Sequence, residues 1–325
     1  MNKNSHIIFS YAFDSAGKAQ KLDNSETGKE LKNEGLAWVH LDANNNQTKW
    51  WLEKEVSYLD HLIIDALLAE ETRPRIVEFE TGLLIILRAV NLNKNAQPED
   101  MVSVRIWVDS YRIITIQLRE MKALFNIPDH LDQGRTINSS GEFLYNLIYE
   151  IIDGTSVFLE DLSIKVDALE EKITTTHDMD FREQVIQIRS QSAIFKRHLL
   201  PQKDVIKKLM TTENICINDW AKRHFQENHD NITRLIEEAE EARDRSQILH
   251  DELSNSLSEK LNKSMYKLSV IASIFMPLTF LTGVFGMNIG GVPGVGYEGA
   301  FNNFVFGVLL IAIVQIIFFK SRKWL

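Results

Sequence analysis

Cysteine is nearly absent: Cys216 is the one cysteine in 325 residues. That excludes an internal disulfide and any paired-cysteine metal knuckle. Basic residues are short too. Lysine and arginine number 36 against 45 aspartates and glutamates, a formal net charge of −9. Phosphate backbones need clustered cations, so nucleic acid is excluded as the main partner. An acidic surface suits dissolved cations, and it is also ordinary for a soluble bacterial protein. The opening MNKNSHIIFSYAFDSAG lacks the basic start and apolar core of a signal peptide, which predicts a cytosolic first domain. Glycine disappears between Gly154 and Gly283, where Pro201 is the only proline before Pro277. Charge is missing for thirty residues from Leu268 to Tyr297, and for twenty-one from Gly299 to Phe319.

The uncharged runs are strongly apolar. A membrane-crossing helix needs roughly 20 mainly apolar residues. LSVIASIFMPLTFLTGVFGM (Leu268–Met287) and FNNFVFGVLLIAIVQIIFF (Phe301–Phe319) both meet that length. A buried core hairpin in a soluble protein is the competing reading, but two such runs in tandem after a highly charged chain are hard to bury otherwise. Lys260, Lys263 and Lys267 precede the first run, and Lys320, Arg322 and Lys323 follow the second. No lysine or arginine lies between them. The positive-inside rule therefore places both ends in the cytosol and the intervening loop outside, with Trp324 at headgroup level.

The first 140 residues read as a mixed α/β domain. Gly35–Asp42, Arg75–Gly82, Leu83–Leu92, Val102–Asp109 and Tyr111–Leu118 are rich in β-branched residues and partly alternate. Thr48–Glu71 has helical spacing, with Thr48 as an N-cap and Pro74 as a stop. The glycine-free middle predicts helices over about 141–174, 181–212 and 218–286. The last would be roughly 100 Å long at about 1.5 Å per residue, of which only ~30 Å is needed to cross a bilayer. Its larger apolar residues recur at steps of three and four, from Ile232 to Leu278, as packing against other helices requires. An offset stripe of small, polar or soft residues runs Asp251, Ser254, Ser258, Asn262, Met265, Ser269, Ala272, Met276, Thr279, Gly283. It reads either as close helix packing or as the wall of a water-filled pathway. Two spans cannot enclose a pathway, so the second reading requires several copies, with the long helices inside.

Seven of the fifteen glycines cluster between Gly283 and Gly299, around Gly286-Met287-Asn288. A ring of asparagine side-chain oxygens at a pore mouth could hold a cation through its hydration water. On this motif, and on ALLAEETRPR (Ala66–Arg75), LLIILRAVNLN (Leu83–Asn93), PEDMVSVRIWVD (Pro98–Asp109) and GMNIGGVPG (Gly286–Gly294), the sequence resembles the CorA family of divalent metal ion transporters. The resemblance spans nearly the whole chain. It implies an α+β cytosolic domain, then long helices and a two-helix C-terminal transmembrane hairpin. It also implies a homopentameric funnel in the bacterial inner membrane. Carried over by position, Asn288 forms the outer ring. Thr279, Met276, Leu268 and Met265 narrow the pore below it, and Asp251 sits near the cytosolic gate. Gly286 and Met287 complete the motif. Four of these residues already lie on the periodic stripe, and Leu268 is beside it.

The sequence departs from magnesium-type members, which follow GMN with an acidic loop. Here IGGVPG follows, and no acid appears before Glu298. That shifts the expectation to transported zinc, other divalent cations remaining open, with proton linkage implied by the zinc-transporting branch. A magnesium or cobalt channel of the same architecture is the first rival, and a pore-less membrane-anchored coiled-coil scaffold or sensor the second.

Cys216, His224 and His229 lie close in sequence, but spacings of eight and five do not share a helical face, so ordinary surface histidines are favoured over a chelate. EEAEEARD (Glu237–Asp244) is either a solvated face or an acidic funnel wall. No nucleophile–base arrangement occurs, so neither an enzyme nor a bound cofactor is expected. The expected partition is 1–140 α/β domain, 141–266 helical stalk, 267–287 first span, 288–299 outer loop, 300–320 second span and 321–325 basic tail.

Overall fold

A computed structural model of the chain describes residues 5–70, 73–176, 181–287, 289–292, 294 and 296–322. The elements in order are β1 (Ile7–Phe13), β2 (Ala19–Lys21), α1 (Asn24–Glu30), β3 (Ala37–Asp42), α2 (Gln47–Glu55), α3 (His61–Leu68), β4 (Arg75–Phe79), β5 (Gly82–Ala89), β6 (Val102–Val108) and β7 (Arg112–Gln117). Then come α4 (Lys122–Asp132), α5 (Ser140–Thr176), α6 (Arg182–Thr211), α7 (Asp219–Phe285) and α8 (Ala300–Ser321). The chain divides into two compact units, one ending at His250 and one starting at Asp251.

In the first unit the strands form one sheet in the order β2-β1-β3-β7-β6-β5-β4. Only β3 and β7 run parallel; every other pairing is antiparallel. Strands β5, β6 and β7 are buried almost throughout. That fits their near-continuous apolar sequences, since a strand covered on both faces needs no polar alternation. On one face Val39, Leu41, Leu84, Trp107, Ile114 and Ile116 pack with Trp51, Leu52, Ile63 and Leu67 from α2 and α3. Each such buried side chain stabilises by about 1.5–3 kcal/mol. The alternate residues of β3 point the other way. Trp38 meets Phe143 of α5 at 4.7 Å, and His40 meets Phe125 of α4 at 6.0 Å.

Several buried polar groups on the sheet find partners, although His40 Nε2 and Arg105 Nε have none. Trp38 donates to Thr115 Oγ1 at 2.8 Å, and His40 Nδ1 lies 2.9 Å from the same oxygen. Full burial lowers the His40 pKa to about 4, against smaller opposing contributions from Gln117, Thr115 and Asp42. Arg105 on β6 is wholly buried and donates to the carbonyls of Ala69 at 2.6 Å and Glu70 at 3.0 Å. It ties the end of α3 to the sheet.

The single helix expected over Thr48–Glu71 is two helices, with Glu71 outside the described residues. Val56 leaves helical geometry at φ −116°, ψ 36°. Asp60 then caps the new helix by accepting from Leu62 N at 2.8 Å. Thr48 is not the cap: it lies inside α2, and its hydroxyl donates to the Asp42 carbonyl. Strands β1 and β2 and helices α1 and α4 were not anticipated, and Pro128 lies within α4. The three later helices fall within two residues of their expected bounds. Side chains cap the starts of α5 and α7, whereas Phe181 before α6 supplies no cap bond. Ser139 accepts from Glu142 N, Glu142 reaches back to Asn138 N, and Asn218 accepts from Ala221 N at 2.9 Å.

The second unit holds the end of α7 and α8. The helices meet near the loop that joins them, where Phe285 and Phe304 lie 4.9 Å apart. Val270 is buried and Ile274, Leu278 and Leu281 half-buried on α7; Phe304, Val308, Ala312, Gln315 and Phe319 are half-buried on α8. These two seams, with steps of three and four, define an antiparallel hairpin. Its loop uses Gly291 at φ 104° and Gly294 at φ 91°, where a side chain would be strained.

Candidate functional site

The stripe read from the sequence has a definite place in the second unit. At about 100° per residue, its mean direction lies about 180° from the seam that packs on α8. Met265 and Met276 are 67% and 72% exposed, and Ser269, Ala272, Thr279 and Gly283 are exposed with them. The hairpin therefore closes on one side of α7 and leaves Met265, Met276 and Thr279 on the opposite side. Asp251, at the start of this unit, is also exposed. The hydroxyls of this stretch bond within the helix: Ser258 to Ser254 O at 3.0 Å, Ser273 to Ser269 O at 2.8 Å, and Thr282 to Thr279 O at 3.0 Å. Such back-bonding satisfies hydroxyls on an apolar helix.

Helix α7 ends at Phe285, and Gly286 N donates to Thr282 O at 2.9 Å. A Cβ on Gly286 would stand 2.8 Å from that same oxygen, so any side chain would force the turn to open. Met287 follows, 49% exposed. Asn288, the residue expected to form the outer ring, lies outside the described residues, as do Lys323 and Trp324 of the tail.

Among the described residues, no group of three or more His, Cys, Asp or Glu side chains could hold a metal ion. Cys216 is buried, and desolvation, with Asp109 adding to it, pushes its thiol up to about 12. A protonated, buried thiol is neither a nucleophile nor a ready zinc ligand. His224 stacks on Trp220 at 3.7 Å and places Nδ1 2.8 Å from the Trp220 carbonyl. His229 Nδ1 lies 3.6 Å from Asp230.

The acidic run divides by pairing rather than by face. Glu238 pairs with Arg234 at 3.8 Å, Glu240 with Lys196 at 2.5 Å and Asp244 with the adjacent Arg243 at 2.7 Å. Glu237, Glu241, Asp244 and Ile248 are exposed, and the same alternation of four and three residues leads on to Asp251. Reading EEAEEARD as one block missed this division.

A sheet-and-helix unit followed by two helices, each long and apolar enough to cross a bilayer, has the outline of a membrane protein with a folded domain ahead of its spans. More particularly, the family model described as CorA-like Mg2+ transporter protein matches residues 33–321, and the chain belongs to that family. The zinc transport protein ZntB of Pectobacterium carotovorum subsp. carotovorum (strain PC1) is 31% identical over 99% of this chain and 97% of its own length. The divalent cation transporter CmaX of Pseudomonas aeruginosa is 30% identical over 98% of this chain and 97% of its own. The structure of a full-length CmaX protein superposes with a TM-score of 0.83 at 29% identity, covering 98% of both chains. These relatives are named as transporters, and the fold expected from the sequence is the fold they share.

Proposed function

We propose that this protein moves zinc across the bacterial inner membrane as a homopentamer, with five copies of α7 around an axial pore and α8 outside against lipid. The observation that carries this reading is the stripe on α7 turned directly away from α8. A hairpin of that shape needs further copies of itself to line a path. Residues 267–287 and 300–320 are the spans, 288–299 the outer loop, and the 1–140 domain, the 141–266 stalk and the 321–325 tail cytosolic, as the lysines and arginines flanking the hairpin require.

In this arrangement Asn288 holds the hydrated ion at the outer mouth, with Gly286 and Met287 setting its turn. Thr279, Met276 and Met265 line the pore, and a ring of Asp251 attracts dications at its cytosolic end. Glu237, Glu241 and Asp244 extend that acidic path, because charges along a low-dielectric cleft raise local counter-ion concentration. Zinc rather than magnesium follows from the acid-free IGGVPG segment and from the ZntB relatives. Proton linkage is part of this proposal, with Asp251 and the acids beyond it as the candidate proton carriers.

The test is zinc flux into proteoliposomes of purified protein, with and without a pH gradient. Zinc flux that the gradient accelerates is the expected result. Magnesium flux without zinc flux would overturn the choice of ion in favour of the second reading, a magnesium channel, which the family's description favours.

A further inference from the structure

Gln315 is the one polar side chain of α8 between Asn303 and Lys320. It lies on the half-buried seam of that helix, and its Oε1 is buried without a donor. An amide left unsatisfied in hydrocarbon is costly, so a partner is required.

The level of Gln315 along the hairpin narrows the choice. Phe304 touches Phe285, and counting eleven residues onward in α8 and eleven back in α7 brings Gln315 level with Ile274. The α7 side chains buried or half-buried near that level are Val270, Ile274 and Leu278, none of them polar. The backbone differs. Pro277 has no amide hydrogen to return to the Ser273 carbonyl, the bond an uninterrupted helix would make there. The Ser273 hydroxyl does not replace it, since it donates to Ser269 O. Membrane helices tolerate proline where a neighbouring helix supplies the missing donor. A carboxamide carries a donor at one end and an acceptor at the other, and a half-turn exchanges them.

We propose that Gln315 donates through Nε2 to the Ser273 carbonyl, bridging α8 to the proline break in α7. This makes Gln315 a positioning residue. Met276 and Thr279 flank Pro277 on the opposite side of α7, so the bridge holds the segment that carries them. The link to transport rests on the function proposed above; the bridge itself does not.

The experiment is a double-mutant cycle on full-length protein in detergent, read by thermal unfolding. Gln315→Leu in the wild-type background should lower the melting temperature by roughly 2 °C. Pro277→Ala returns an amide hydrogen to residue 277, so in that background Gln315→Leu should leave the melting temperature unchanged or raise it. Equal losses in both backgrounds, or no loss in the wild type, overturn the bridge. Gln315→Met, which keeps the side-chain length without the amide, carries the same cycle if the leucine variant does not assemble. Zinc flux of the same variants is the second readout. A positive melting cycle without any zinc flux in the parent protein would retire the transport reading and leave the bridge standing.

Discussion

At the scale of single residues, the structure turns ambiguous side chains into definite chemistry. Cys216 could be read as a metal ligand from its neighbours in sequence. Its burial and its thiol pKa of about 12 make it inert. A maleimide added to folded protein is expected to leave Cys216 unmodified and to label it fully in denaturant; rapid labelling of the native state would contradict this. His40 gives a pH dependence. Its folded pKa of about 4 lies below the unfolded value of about 6.5, so the unfolded chain takes up a proton that the folded chain refuses. The stability His40 contributes is fully present above pH ~6.5 and declines toward pH ~4, at a slope approaching 1.4 kcal/mol per pH unit for one proton. Urea unfolding measured across that window should show the slope flatten in His40→Gln. No sequence pattern revealed His40, because a histidine in HLD looks the same on a buried strand and on an exposed one.

At the scale of elements, the helices were legible and their interruptions less so. A glycine-free, proline-poor stretch with strong helix formers leaves little alternative, and α5, α6 and α7 appear where expected. The break between α2 and α3 escaped notice because Asp60 within a helical pattern looks like a surface residue until its cap bond to Leu62 is seen. Strands β1 and β2 and helix α4 are short and take their stability from the sheet, so local propensity says little about them. The end of α7 is where one atom matters. Gly286→Ala would press a methyl group against the Thr282 carbonyl and displace the turn leading to Asn288. The expected outcome is zinc flux reduced at least tenfold, with the helical content of the protein unchanged by circular dichroism. Wild-type flux in that variant would remove the turn from the mechanism.

At the scale of the whole molecule, charge and apolarity divide the labour along the chain. The sheet-and-helix unit carries most of the charge, and the hairpin presents a largely apolar surface. Many apolar side chains of the hairpin are exposed, including Leu268, Phe275 and Phe280 on α7 and Phe301, Phe306 and Ile317 on α8. An exposed apolar surface of that extent marks a membrane or protein contact. Met276→Lys separates pore from scaffold. In the pentameric pore proposed above, five ammonium groups would meet at the axis and repel cations. Flux should fall below detection, while elution from a sizing column stays at the wild-type position. Retained flux in an assembled variant would favour a scaffold without a pore. Asn288→Ala should likewise abolish ion discrimination without changing assembly, read by zinc and magnesium flux in parallel.

The chain by itself determined the fold class, the two apolar runs and the stripe on α7. Each of these depends on local composition, on periodicity or on a charge count, and all three are readable one residue after another. The motif around Asn288 was legible for the same reason, as a short string in a telling place. Only the tertiary structure decided which side of α7 meets α8, because that requires knowing where Phe304, Val308, Ala312, Gln315 and Phe319 turn. It also decided that Cys216 is sealed off, that Glu238 and Glu240 are paired while Glu237 and Glu241 face solvent, and that Gln315 Oε1 is buried without a donor. In each case the deciding partner is distant in sequence or on another face, and only packing brings it near.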